Sequence, residues 1–83
     1  MKTNHDSTRL QLLDWVLRRG REALRLQVER SGDRYNVSVS PANRQQQKPL
    51  YINVFHACPN AFQRHAALVA LFREAGWTSV AYR

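Results

Sequence analysis

The sequence predicts an α+β fold: a two-layer sandwich in the order α-β-β-β-α-β, with a mostly antiparallel sheet and both helices on one of its faces. Three observations predict it. Apolar residues recur at helical spacing near both ends of the chain. Two strictly alternating runs flank a glycine-containing turn. A third alternating run leads through a proline into the second helical segment. At 83 residues the chain is long enough for one small domain, read as residues 6–83 behind a polar tail at 1–5.

The first helix starts at Asp6 or Ser7, either of which can cap it. Leu10, Leu13, Val16 and Leu17 follow at helical spacing, and Leu12 and Trp15 widen the apolar arc. Arg18 and Arg19 suit the negative end of the helix dipole, and Gly20 suits a left-handed terminating residue. In residues 22–30, Leu24, Leu26 and Val28 alternate with Arg25, Gln27 and Glu29, which predicts a strand. Ser31, Gly32 and Asp33 are turn residues, and Tyr35, Val37 and Val39 alternate with Arg34, Asn36 and Ser38, which completes a hairpin. Residues 41–49 form a polar loop bracketed by Pro41 and Pro49 and carrying Arg44 and Lys48.

The third strand is predicted over 50–56, with Leu50, Ile52, Val54 and His56 on the buried face and Tyr51, Asn53 and Phe55 on the outer one. Pro59 fits the first turn of the second helix, with Cys58 at its N-cap; the helix runs to about Ala75 and stops at Gly76. Its apolar arc comprises Ala61, Phe62, Leu68, Val69, Leu71, Phe72 and Ala75. Residues 78–83 make a short fourth strand, parallel to the third if the helix is a crossover.

Charge points to the partner. Thirteen basic residues against six acidic ones give +7, and such a field attracts polyanions. Eleven of the thirteen are arginine, whose planar fork matches phosphate, although GC-rich codon usage also yields arginine. With helices on one side of the sheet, the outer face carries Arg25, Gln27, Arg34, Asn36, Ser38, Tyr51, Asn53 and Phe55. Arginines and amides interleaved with two aromatics suit single-stranded nucleic acid, by phosphate neutralisation and base stacking. Arg18, Arg19, Arg21, Arg44 and Lys48 extend the basic set along the rim. The expected function is therefore a non-enzymatic module that binds RNA or DNA. The alternative is a phage- or plasmid-type accessory or inhibitor protein docking on an acidic or nucleic-acid-handling partner. A small histidine-dependent ribonuclease or toxin is the third reading.

The remaining chemistry lies in residues 54–65. His56, Cys58 and His65 supply at most three metal ligands, in a spacing unlike paired zinc motifs. Cys58 at a helix N-terminus with a nearby imidazole outlines a nucleophile pair, but no orienting acid accompanies it. His56 and His65 could also act as acid and base. Position favours a structural role, with both histidines at the edge of the core and Cys58 as a capping residue, so no catalytic residue, metal or cofactor is assigned. A single cysteine and the lack of an apolar leader or spanning segment predict a cytoplasmic protein without a membrane partner.

The order α-β-β-β-α over residues 6–75 resembles that of double-stranded RNA-binding domains and of small HicA-like mRNA-cleaving toxins. The resemblance implies an RNA-directed α/β sandwich and rests on element order alone. The lysine cluster that the first family places at its last helix is replaced by Pro59, Asn60, Ala61, Phe62, Gln63 and Arg64, and the Gly-Ser-His triplet of the second does not occur. No functional residue is carried over from either family.

Overall fold

The computed structural model describes residues 9–42 and 49–82. Five strands and one helix follow in the order β1 (Arg9–Arg19), β2 (Glu22–Ser31), β3 (Arg34–Pro41), β4 (Tyr51–Phe55), α1 (Cys58–Glu74) and β5 (Thr78–Tyr82). The strands form one antiparallel sheet in the order β4-β3-β2-β1-β5. The first four make a meander, and α1 then carries the chain from the β4 edge to the opposite edge. The helix thus links two strands that run the same way but have three others between them. No helix among the described residues is long and apolar enough to cross a membrane.

This overturns the two-helix sandwich. The segment expected as the first helix is the long strand β1, and with it goes the likeness to the α-β-β-β-α families. The reason is a bulge. Gln11 pairs with Glu29 and Leu13 with Val28, so Leu12 is an extra residue in β1. Leu12 and Leu13 both pack on the helix side, against the cluster of Val28, Val37 and Ala61. The inward residues of β1 are therefore Leu10, Leu12, Leu13, Trp15 and Leu17, whose spacings of three and four imitate a helical arc. Gly20 is equally ambiguous. Its φ of 62° serves a helix terminus, but here it belongs to the two-residue turn that joins β1 to β2.

A second correction concerns β4. Tyr51 pairs with Val39, Asn53 with Val37 and Phe55 with Tyr35, so these three residues share the helix face with the buried valines. Ile52 and Val54 face away, 57% and 46% exposed, and Leu50 before them is 69% exposed. The alternation was right and its sense was inverted. His56, expected to prolong the buried set, is exposed for the same reason.

The core consists of two adjoining clusters under α1. Leu17, Leu26, Val39, Val69 and Trp77 form one, with Trp15, Leu24, Tyr51 and Phe72 against it; Val28, Val37 and Ala61 form the other. The helix begins after Ala57 without a side-chain cap, with Cys58 and Pro59 already in its first turn, so Cys58 is not the N-cap. Its buried residues are Ala61, His65 and Val69, while Phe62 and Leu71 of the expected arc are exposed.

His65 is 3% exposed. Its Nε2–H donates to the Leu26 carbonyl at 3.1 Å, and its ring meets that of Trp15 edge-on at 5.6 Å. Burial lowers its proton affinity below the usual histidine value of 6.5, and the hydrogen bond to Leu26 opposes that shift only in part. The folded state therefore holds a neutral imidazole. Well above pH 6.5 neither folded nor unfolded chain carries that proton, and stability is at its full value. As the pH falls below 6.5 the unfolded chain takes up a proton that the folded one resists, and stability drops until the folded value is passed. The urea midpoint is expected to fall between about pH 7 and about pH 5. A His65→Gln variant is expected to lose that part of the pH dependence, and an unchanged slope would contradict it.

Candidate nucleic-acid interface

With α1 on one side, the other face of the sheet is open among the described residues. Strand register arranges its side chains in rows. At one end, Arg34, Ser31 and Arg9 align across β3, β2 and β1. Next come Val54, Asn36, Glu29 and Gln11, then Ile52, Ser38, Gln27 and Asp14. Ser40, Arg25, Val16 and Ala81 form the fourth row, and Ala23, Arg18 and Thr78 the fifth, beside the turn that holds Arg21. Arginines thus occupy both ends of the face, and the middle mixes amides and a hydroxyl with Asp14, Glu29, Ile52 and Val54; there Gln27 Nε2 donates to Gln11 Oε1 at 2.9 Å. Among the described residues, no aromatic side chain lies in these rows.

Two carboxylates temper the charge. Arg25 Nε lies 3.0 Å from Asp14 Oδ1, although neither atom has an aligned hydrogen-bond partner. The contact is thus a charge pair across neighbouring strands rather than a directed bond. Glu29 lies two rows from Arg25, among the amides. Arg9, Arg18, Arg21 and Arg34 are exposed and form no ion pair with a described residue.

Of the basic residues singled out in the sequence, the structure brings Arg18, Arg21, Arg25 and Arg34 to this face or its rim. Arg19 is elsewhere. It points to the helix side, its guanidinium 5.0 Å from the centre of the Trp77 ring and its Nη1 donating to the Ala75 carbonyl at 3.1 Å. Nη2 also lies 3.9 Å from Glu22 Oε1. Arg19 therefore clamps the end of α1 to the hairpin. Arg44 and Lys48 lie outside the described residues.

Tyr51, Asn53 and Phe55 are removed from the proposed surface by the inverted sense of β4. Tyr51 and Phe55 pack against the two core clusters, and Asn53 Nδ2 donates to the Tyr51 hydroxyl at 3.1 Å. None is placed to stack on a base from the open side. Arg9 was not anticipated, because the helical reading of residues 9–19 hid its alignment with Ser31 and Arg34. The available signal was the alternation of Gln11, Asp14, Val16 and Arg18 once Leu12 is counted as an extra residue.

The other sequence candidates do not assemble. His65 is buried and bonded to Leu26, whereas His56 is exposed just beyond β4. Among the described residues no group of three or more His, Cys, Asp or Glu is placed to hold a metal ion. Beside α1 lies an apolar groove of about 350 Å³ lined by Leu13, Trp15, Phe62, Ala66, Ala70 and Arg73, among others. It exists because one helix cannot cover a five-stranded sheet. No family model matches the chain, and no curated protein or solved structure matches it, so the reading of the open face stands on its geometry and charge.

Proposed function

We propose that the protein is a non-enzymatic nucleic-acid-binding module whose open sheet face grips the phosphate backbone of a duplex. One observation carries this reading. Arg9 and Arg34 at one end of the face, and Arg18 and Arg25 at the other, bracket a middle whose amides and hydroxyl (Gln11, Gln27, Asn36, Ser38) lie beside Asp14, Glu29, Ile52 and Val54, without a described aromatic. Single-strand binders gain much of their affinity from bases stacked on aromatic side chains. A face without them favours backbone contacts, which arginine makes well, with Gln27, Asn36 and Ser38 able to hydrogen-bond sugar or phosphate oxygens. The net charge of +7 adds long-range attraction.

The test is fluorescence anisotropy with labelled duplex and single-stranded oligonucleotides across a salt series. Tighter binding to duplex is expected, with log affinity falling linearly against log salt at about 0.9 per phosphate contact. Absence of binding at low salt would reject the proposal, and a preference for single strands would reject its duplex form. The second reading, a protein-interaction module, is favoured by the exposed apolar residues of β4.

A further inference from the structure

The β4 edge is chemically unlike the rest of this molecule. Pro49 to Gln63 is the longest stretch of the chain without Asp, Glu, Lys or Arg, and β4 lies within it. Edge strands of monomeric proteins are commonly guarded by charge, proline, a bulge or a covering element. Edge strand β5 has such a guard, a register shift opposite Val16 and Leu17. Within Tyr51–Phe55 strand β4 has no charge, proline or register shift against β3, and the described irregularity lies just before it, where Leu50 N–H donates to the Val39 carbonyl at 2.7 Å.

Hydrogen-bond parity shows which of its groups are unused. Ala42 N–H donates to the Ala23 carbonyl at 2.9 Å, so the even-numbered residues of β3 turn their amides to β2 and the odd ones to β4. Val39, Val37 and Tyr35 therefore bond Tyr51, Asn53 and Phe55, and the N–H and C=O groups of Ile52 and Val54 point off the sheet. The same two residues place exposed apolar side chains on the open face, and Leu50 before them is also exposed.

We infer that β4 pairs antiparallel with β4 of a second copy of this chain, forming a two-fold dimer with a continuous ten-stranded sheet. Full overlap of Tyr51–Phe55 centres the axis on Asn53. Ile52 then meets Val54 of the other copy in a hydrogen-bonded pair, and Val54 meets Ile52, so each unused group finds a partner. Such a contact is self-complementary, as a two-fold interface must be. Charge selects a second copy as the occupant. Two chains of +7 repel one another least along a border without charge; β4 is such a border, and unlike the equally uncharged β5 it runs without a register shift. An acidic partner would have no described cation on β4 to meet. A two-fold axis normal to the sheet keeps both open faces on the same side. A single strand pair is small beside a standard interface of about 800 Å² per partner, so the dimer is concentration-dependent. The inference does not rest on the nucleic-acid reading.

Sedimentation velocity over a concentration series, on nuclease-treated protein in high salt, tests it without nucleic acid. The wild type is expected to pass from the 9.7 kDa monomer to a dimer as concentration rises. Ile52→Lys with Val54→Lys, at two exposed positions, is expected to remain monomeric with an unchanged circular dichroism spectrum. A wild type that stays monomeric at its solubility limit, or a variant that dimerises like the wild type, would overturn the inference. Should the variant misfold, amide exchange on the wild type decides. The Ile52 and Val54 amides are expected to be protected at high concentration and to lose protection on dilution; rates independent of concentration would overturn it.

Discussion

Leu17→Ala is expected to destabilise the fold by about 2–5 kcal/mol, the usual cost of a cavity at a buried leucine. For a chain of 83 residues, whose total stability is roughly 4–12 kcal/mol, that is a large share of the whole. Leu17 is fully buried and belongs to the cluster of Leu26, Val39, Val69 and Trp77. It sits where β1 is paired on both sides, with Leu24 on β2 and Ser79 on β5. Neighbours on both flanks and α1 above leave little room for collapse into the void. Chemical denaturation measures the loss. Val16→Ala is the matched control: Val16 is one residue away but lies on the open face, only half-buried. A helix spanning residues 9–19 would give the two substitutions similar costs, since both lie in the expected apolar arc. A strand gives a large cost at Leu17 and a small one at Val16.

Replacing Arg9, Arg18 and Arg34 together with alanine is expected to weaken duplex binding and to flatten its salt dependence by about 0.9 per lost phosphate contact, or about 2.7 in all. These three are exposed, lie on the open face and form no ion pair with a described residue, so folding should be little affected. Arg25 is left in place, because its removal would strand the buried carboxylate of Asp14. Two arginines on the helix, Arg64 and Arg73, provide the contrast. Both are exposed on α1, on the other side of the sheet. Their joint replacement lowers net charge without touching the open face, so its effect on the slope should be small. Losses in proportion to the charges removed, three against two, would mean that bulk charge attracts the nucleic acid and that the face does not.

The second and third strands and the helix were legible because each carries an unbroken pattern, and the final strand because it follows the helix-ending Gly76. Glu22–Ser31 and Arg34–Pro41 alternate on either side of a glycine turn, and Cys58–Glu74 is bounded by Pro59 and Gly76. The candidate surface was legible in part. Arg25, Gln27, Arg34, Asn36 and Ser38 share one face because period-two geometry demands it, whatever lies behind them. What alternation does not specify is which of its two sets is buried. In β4 both sets are apolar or aromatic, so the aliphatic set looked like the core. The sheet decided otherwise: Tyr51 and Phe55 fill the width beside a single helix, and Leu50, Ile52 and Val54 are left to the outside at an edge.

By itself, then, the sequence determined the charge, the hairpin of β2 and β3, a helix entered near Pro59 and ended before Gly76, and the inward position of His65, since these follow from local periodicity and from glycine and proline chemistry. Only the tertiary structure decided that residues 9–19 are a strand and that β4 shows its aliphatic side to solvent. Both depend on partners distant in the chain. Pairing with β2 and β5 offers β1 a hydrogen-bond ladder on each side, and the bulge at Leu12 brings its leucines onto the helix face in a spacing that a helix would share. The sense of β4 follows from its register against Val37 and Val39, residues whose burial α1 enforces from above.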